Sequence, residues 1–220
     1  VITPQPATPT GPTPEEIVAQ FKGLRPDQIS DGSLAQLASL PDAAAAITEI
    51  DMTGSQVSGT RLGYLAAMPN LQSVSVSGPK ISADALASLG KAQSLRSVNL
   101  ANSIADDRVV SELSRIPHLQ TLNLDGTPVT SGSATGLGSM GELTDLSLFG
   151  TSVDDQIAGA LAVMPLRSLN LAKTRITNAT LPAILKIHTL ETLNVSYCGV
   201  TGEGFRGFGS SGIKTLGVGE

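Results

Sequence analysis

The feature that most constrains this chain is a pattern of apolar residues that returns every 23 or 24 positions. The spacing apolar-x-x-apolar-x-apolar occurs at Ile47/Ile50/Met52, Leu71/Val74/Val76, Leu95/Val98/Leu100 and Leu119/Leu122/Leu124. It continues at Leu143/Leu146/Leu148, Leu166/Leu169/Leu171, Leu190/Leu193/Val195 and Ile213/Leu216/Val218. The motifs start 24, 24, 24, 24, 23, 24 and 23 residues apart. Within each, two apolar residues flank a polar one, so the segment predicts a short strand with one buried face. A second apolar anchor follows at Val57, Ile81, Val129, Val153, Ile176 and Val200. Next stands a residue able to cap a helix: Ser58, Ser82, Thr130, Asp154, Thr177 or Thr201. Helically spaced apolar pairs come after it: Leu86/Leu89, Leu113/Ile116, Leu137/Met140, Leu161/Met164 and Phe205/Phe208. Pro69, Pro117, Gly141 and Pro165 end several of these runs. One strand and one helix cannot bury a core alone, so the units must stack with parallel strands about 4.8 Å apart. One unit departs from its siblings. In ANSIADDRVV the anchor reads as Ile104, one place early, with Asp106 or Asp107 as cap, which predicts an altered turn.

The pattern resembles the leucine-rich-repeat family, whose consensus L-x-x-L-x-L is matched over roughly residues 34–220, in its bacterial or its cysteine-containing, ribonuclease-inhibitor-like type. The resemblance implies an α/β fold, a right-handed curved solenoid with strands on the concave face and helices on the convex face. It also implies a non-enzymatic module that binds a protein or peptide on the concave face. The ninth position of each repeat reads Ser55, Pro79, Ser103, Thr127, Thr151, Thr174 and Cys198. In the family this slot points inward and bonds turn backbone of neighbouring repeats, which gives Cys198 a structural role as a small buried residue rather than a nucleophile.

Ahead of the repeats the chain divides into a Pro/Thr-rich linker at 1–13, an N-terminal helical cap at 14–46, and the repeats at 47–220. The segment VITPQPATPTGPTP holds five of the thirteen prolines and favours an extended polyproline conformation. Such a spacer is expected between a membrane anchor and a folded domain, which favours an extracytoplasmic place; an ordinary leader of a cytoplasmic protein is the alternative. The chain opens on Val1, as a mature or trimmed form would. In PEEIVAQFKGL, Pro14 at the first helical position, Glu15 and Glu16 in the first turn and Gly23 after the run predict one helix. A second is expected from Ser33 to Leu40, stopped by Pro41. Together they would cover the open end of the core.

Little catalytic chemistry is legible. A net charge of -5 and 3% aromatic residues argue against nucleic acid as partner. No run approaches the ~18 apolar residues of a membrane span. One cysteine makes no intrachain disulfide or zinc cluster. His118 and His188 sit three repeats apart, roughly 14 Å, too far to share a metal. Asp106-Asp107 and Asp154-Asp155 fall at predicted helix starts, where the dipole favours acids. Asn178-Ala179-Thr180 and Asn194-Val195-Ser196 fit the glycosylation sequon, a triplet that also arises by chance. No cofactor, metal or enzymatic activity is expected. The candidate site is the concave strand face, with Asn99, Asn123, Asp125, Asp145, Phe149, Asn170 and Asn194 as binding residues. There Phe149 is expected as an exposed aromatic beside Asp125, ringed by hydrogen-bonding groups. A structural or tethering role in a cell envelope, without a strong ligand, is the alternative function. Finally, only Gly219 and Glu220 follow the last strand here, so either the natural protein continues beyond Glu220 or a partner or second copy covers the end, with weak self-association expected through that strand edge.

Overall fold

Residues 11–55, 57–78 and 81–219 are described by the structure, a computed structural model. Eight short strands form one parallel sheet in sequence order: β1 (Glu49–Met52), β2 (Ser73–Val76), β3 (Ser97–Asn99), β4 (Thr121–Asn123), β5 (Asp145–Ser147), β6 (Ser168–Asn170), β7 (Thr192–Asn194) and β8 (Thr215–Gly217). The register steps by one repeat at every pairing, so that Leu122 lies beside Leu146, Leu146 beside Leu169 and Leu169 beside Leu193. Period-two alternation sends one residue of each strand inward, and from Ile50 to Leu193 these are no more than 2% exposed.

Helices α1 (Pro14–Lys22), α2 (Asp31–Ala38) and α3 (Pro41–Ala45) precede the sheet. Their Ile17, Phe21, Leu34, Leu37, Ala43 and Ala44 join the same core as the strand residues. The repeats then supply α4 (Ala83–Ala87), α5 (Asp107–Leu113), α6 (Ala134–Gly138), α7 (Ala158–Leu161) and α8 (Leu181–Ile184), which pack each on the next as a second layer. In the first and seventh repeats this place is taken by 3-10 turns, at Gly59–Ala67, Gly202–Phe205 and Phe208–Ser210. The architecture is the α/β repeat solenoid that the apolar period predicts.

The first helix begins at Pro14 as expected, and Thr13 just ahead of it is its cap: the Thr13 hydroxyl accepts the Glu16 N–H while Glu16 accepts the Thr13 N–H. Residues 1–10 of the predicted linker lie outside the described residues. Three details differ from the sequence reading. The second helix runs from Asp31 to Ala38 and not from Ser33 to Leu40, because Ser30 caps it by accepting the Ser33 N–H. Pro41 does not merely stop it but opens α3 at the first helical position, where a missing N–H costs nothing.

The third correction concerns Ile104. It is 37% exposed, and the buried anchor is Ala105 at 0%, in step with Val129 and Val153. The turn is not altered. Asn102 takes the left-handed conformation (φ 58°) in the slot that Gly126 (φ 65°) fills one repeat later. With the turn in register, position 105 must face inward whichever side chain it carries. Asp106 then caps α5 by accepting the Val109 N–H.

Candidate functional site

The outward rows of the sheet contain the predicted binding residues, and most of them are already engaged. Asn99, Asn123, Asn170 and Asn194 each accept, through Oδ1, the N–H two residues ahead, at 2.8–3.1 Å. Asp51 does the same for Thr53. In five of the eight strands the central row therefore supplies a side-chain turn that ends the strand, a structural task suited to Asn and Asp. Asp145 accepts the hydroxyl of Thr144 at 2.7 Å. Asp125 is different, since it reaches into the next repeat: its Oδ1 accepts both the Ser147 hydroxyl and the Phe149 N–H. Asn170 Nδ2 donates to the same Ser147 Oγ at 3.1 Å. The structure thus joins Asn123, Asp125, Phe149 and Asn170 in one network across β4, β5 and β6, and leaves Asn99, Asp145 and Asn194 outside it.

Phe149 is half-buried and not the free-standing aromatic the sequence suggests. The Lys173 ammonium lies 5.2 Å from its ring centroid and 5.5 Å from that of Tyr197. Neither Lys173 nor Tyr197 stood out in the sequence. The signal that could have found them is a glycine slot, Gly54, Gly78, Gly126 and Gly150, repeating at the period of the strands. All four have positive φ, and Asn102, Lys173 and Tyr197 (φ 57–58°) fill the same slot in the other repeats. In five of these slots the backbone also links repeats. Asn102, Gly126, Gly150, Lys173 and Tyr197 donate to the carbonyls of Asp125, Phe149, Ala172, Ser196 and Gly219 at 2.7–2.9 Å.

On the side where helices start, the paired acids divide two tasks between them. Asp106 and Asp154 cap their own turns. Asp107 and Asp155 instead reach forward and take both the N–H and the hydroxyl of Thr130 and Thr177. Asn178 holds Thr201 in the same way, its Oδ1 accepting the N–H and its Nδ2 donating to the hydroxyl. Asp31 of α2 clamps Ser58 alike. So Ser82, Thr130, Asp154 and Thr177 cap as expected, whereas the Thr201 hydroxyl makes no cap bond and serves this inter-repeat clamp. Burial raises the Asp155 pKa, but hydrogen bonds from Thr180 and Thr177 outweigh it and hold the carboxyl below its ordinary value. Asp154 is lowered by the Ser131 hydroxyl and the Gln156 N–H. Glu191 is lowered by Lys214, with Arg167 assisting.

The remaining chemical side chains have local partners. In the ninth slot Thr127, Thr151 and Thr174 donate to carbonyls of their own repeat, Leu124, Leu148 and Leu171, and not to neighbouring repeats. The link expected between repeats is made at Cys198, half-buried, whose Sγ donates to Leu171 O at 3.0 Å. Pro79 lies outside the described residues. His118 pairs with Glu142 at 2.9 Å on the surface. No group of three His, Cys, Asp or Glu that could hold a metal occurs among the described residues. Of the two sequons, Asn178 is held by Thr201, Thr180 is buried with its hydroxyl on Asp155, and Asn194 closes its own turn. No helix among the described residues is long and apolar enough to cross a membrane.

A family profile described as Leucine Rich repeat matches residues 186–216. No curated protein sequence matches the chain. Solved structures similar to it include the internalin C2 of Listeria monocytogenes, at 15% identity and TM-score 0.64, covering 92% of this chain and 90% of that one. An internalin, inlF, of the same organism has 19% identity and TM-score 0.54 over 76% of this chain. A leucine-rich-repeat protein of Leptospira interrogans has 17% identity and TM-score 0.55 over 90% of this chain. The chain spans 52% of the length of each of the latter two. These bacterial neighbours share the stacked strand-and-turn unit at identities that speak for fold alone. The fold of this chain is thus that of a leucine-rich-repeat solenoid, the fold it shares with these bacterial proteins.

Proposed function

We propose that the chain is a non-enzymatic binding module that receives a protein or peptide on the outer face of its sheet. Leucine-rich-repeat folds generally serve protein interaction, which supports the class. The observation that carries the choice of face is the register. Ser97, Thr121, Asp145, Ser168 and Thr192 line up strand by strand as a row of short polar groups. Such a row offers a partner closely spaced hydrogen-bonding sites without long side chains to immobilise. A photo-crosslinking residue at Thr121, compared with one at Val163, which is 71% exposed beyond the end of α7, tests the reading. Protein adducts from the native host should form at Thr121 and be absent or unspecific at Val163. Equal adducts at both positions would remove the case for the strand face. The tethering role, favoured by the proline- and threonine-rich leader, expects no specific adduct at either.

A further inference from the structure

Two of the seven left-handed slots carry residues that the turn itself does not call for. Glycine adopts this conformation freely and Asn tolerates it, but a long or aromatic side chain there strains the backbone. Four repeats use Gly and one Asn, while two adjacent repeats use Lys173 and Tyr197. Their side chains do not lie apart. Lys173 Nζ sits between the Phe149 ring at 5.2 Å and the Tyr197 ring at 5.5 Å, so three neighbouring repeats build one aromatic–ammonium–aromatic column at the ends of β5, β6 and β7. Tyr197 is 59% exposed and Lys173 is exposed, so the column faces solvent and adds little to the core.

The column also carries unmatched charge. Lys173 makes no ion pair among the described residues; it shares that with several other basic residues, such as Lys91 and Lys186, but it is the one whose ammonium stands against two aromatic rings. The acid nearest to it in the network, Asp125, is turned to Ser147 and the Phe149 N–H. A fixed ammonium beside two ring faces is suited to a carboxylate whose flanking carbons rest on the rings.

We propose that the Phe149–Lys173–Tyr197 column is the anchor for an acidic side chain, with an adjacent apolar residue, of a protein partner lying on the strand face. The proposal rests on the strand-face reading above and names the chemistry that the face selects.

An array of random twelve-residue peptides, probed with the full chain, tests it. Peptides retained by the native chain should be enriched in Asp or Glu next to Leu, Ile or Phe, and retention should fall as salt rises. Lys173→Glu should weaken these peptides at least tenfold and shift enrichment toward Lys and Arg. Lys173→Gly and Tyr197→Gly should also lose binding, while their unfolding midpoints stay unchanged or rise, since glycine relieves the left-handed backbone. A fall in midpoint comparable to a core truncation would show the column to be structural and overturn the proposal. Thr121→Arg, in the middle of the sheet face, separates the two readings. Binding that depends on Thr121 but is indifferent to Lys173→Glu would overturn the column and keep the face. Binding indifferent to both, or no peptide retained at all, would overturn the column along with the support for the face.

Discussion

Ile50 and Met52 in β1 are 2% and 0% exposed, whereas Leu216 and Val218, which hold the same places in the last repeat, are 40% and 56% exposed. Both pairs obey one strand motif, and both strands are edges of the same sheet. The difference lies in what is stacked beyond them. At the N-terminal end α1, α2 and α3 bring Ile17, Phe21, Leu34 and Leu37 against the core. At the other end the last helical positions are two 3-10 turns, and Phe205 and Phe208 pack on each other edge to face at 5.2 Å while only half-buried. No described element lies beyond β8. A repeat motif therefore directs a side chain inward, but the neighbouring layer supplies its burial.

The largest test of that contrast is a matched pair of truncations. Leu146 has a repeat on each side and is 2% exposed. Leu146→Ala should cost about 2–5 kcal/mol, as for buried leucines generally. Leu216→Ala removes the same atoms from the equivalent position and should cost about 1 kcal/mol or less. Chemical denaturation of both variants checks this, and equal midpoints would mean that the last repeat is buried as the middle is.

A smaller difference is expected between the polar links of the two regions. Asp155 clamps Thr177 and Thr180 in mid-array, while Glu191 joins Arg167 and Lys214 on the surface near the end. Asp155→Ala should cost about 1 kcal/mol, the usual worth of lost hydrogen bonds at a partly buried acceptor. Asp155→Asn should recover part of it, because Asn178 holds Thr201 with the same geometry one repeat later. Glu191→Ala should leave the midpoint unchanged within error, as exposed ion pairs generally do.

The clamp also has a pH signature. The Asp155 carboxyl is held below its ordinary value in the folded chain, so its contribution is present above that value and is lost as pH falls through the lower folded one. The stability gap between the native chain and Asp155→Ala should be constant near neutrality and close below about pH 4. A gap that persists unchanged to pH 2 would show that the clamp does not depend on the ionised carboxylate.

How much of this was legible beforehand follows from what a periodic pattern encodes. Eight strands, their order and their buried residues were readable because each is a local consequence of spacing. Ile104 is the more hydrophobic of the two neighbours, but the backbone turn at Asn102 decides which residue faces inward, and Ala105 takes the place. The site was only partly readable. Asn99, Asn123 and Asn194 look like ligands on a sheet face, yet their Oδ1 atoms close turns two residues ahead, a bond visible only once the chain is folded. Lys173 and Tyr197 were hidden for the opposite reason. They break a glycine pattern that carries no chemistry of its own, and they meet Phe149 only through stacking of repeats.

The smallest expected effect is association through the uncovered end. Leu216 and Val218 leave apolar surface exposed beside β8, whose free edge is open to pairing with a second strand. Several features oppose pairing. The strand is three residues long, Gly217 and Gly219 offer no side chain to pack, and Lys214 stands next to it with its charge on Glu191. Contact between two such ends would bury far less than the ~1,200 Å² of a stable interface. Sedimentation over a concentration series should therefore show monomer at low concentration and a slight rise in mean mass at the highest. Leu216→Pro, which removes an N–H from the strand edge, should abolish that rise while leaving the mid-array amides protected from exchange. A strict monomer throughout would show that glycine and a paired lysine suffice to blunt an uncovered repeat end. A strong dimer would mean that the two ends of the array differ in what covers them and not in whether they are covered.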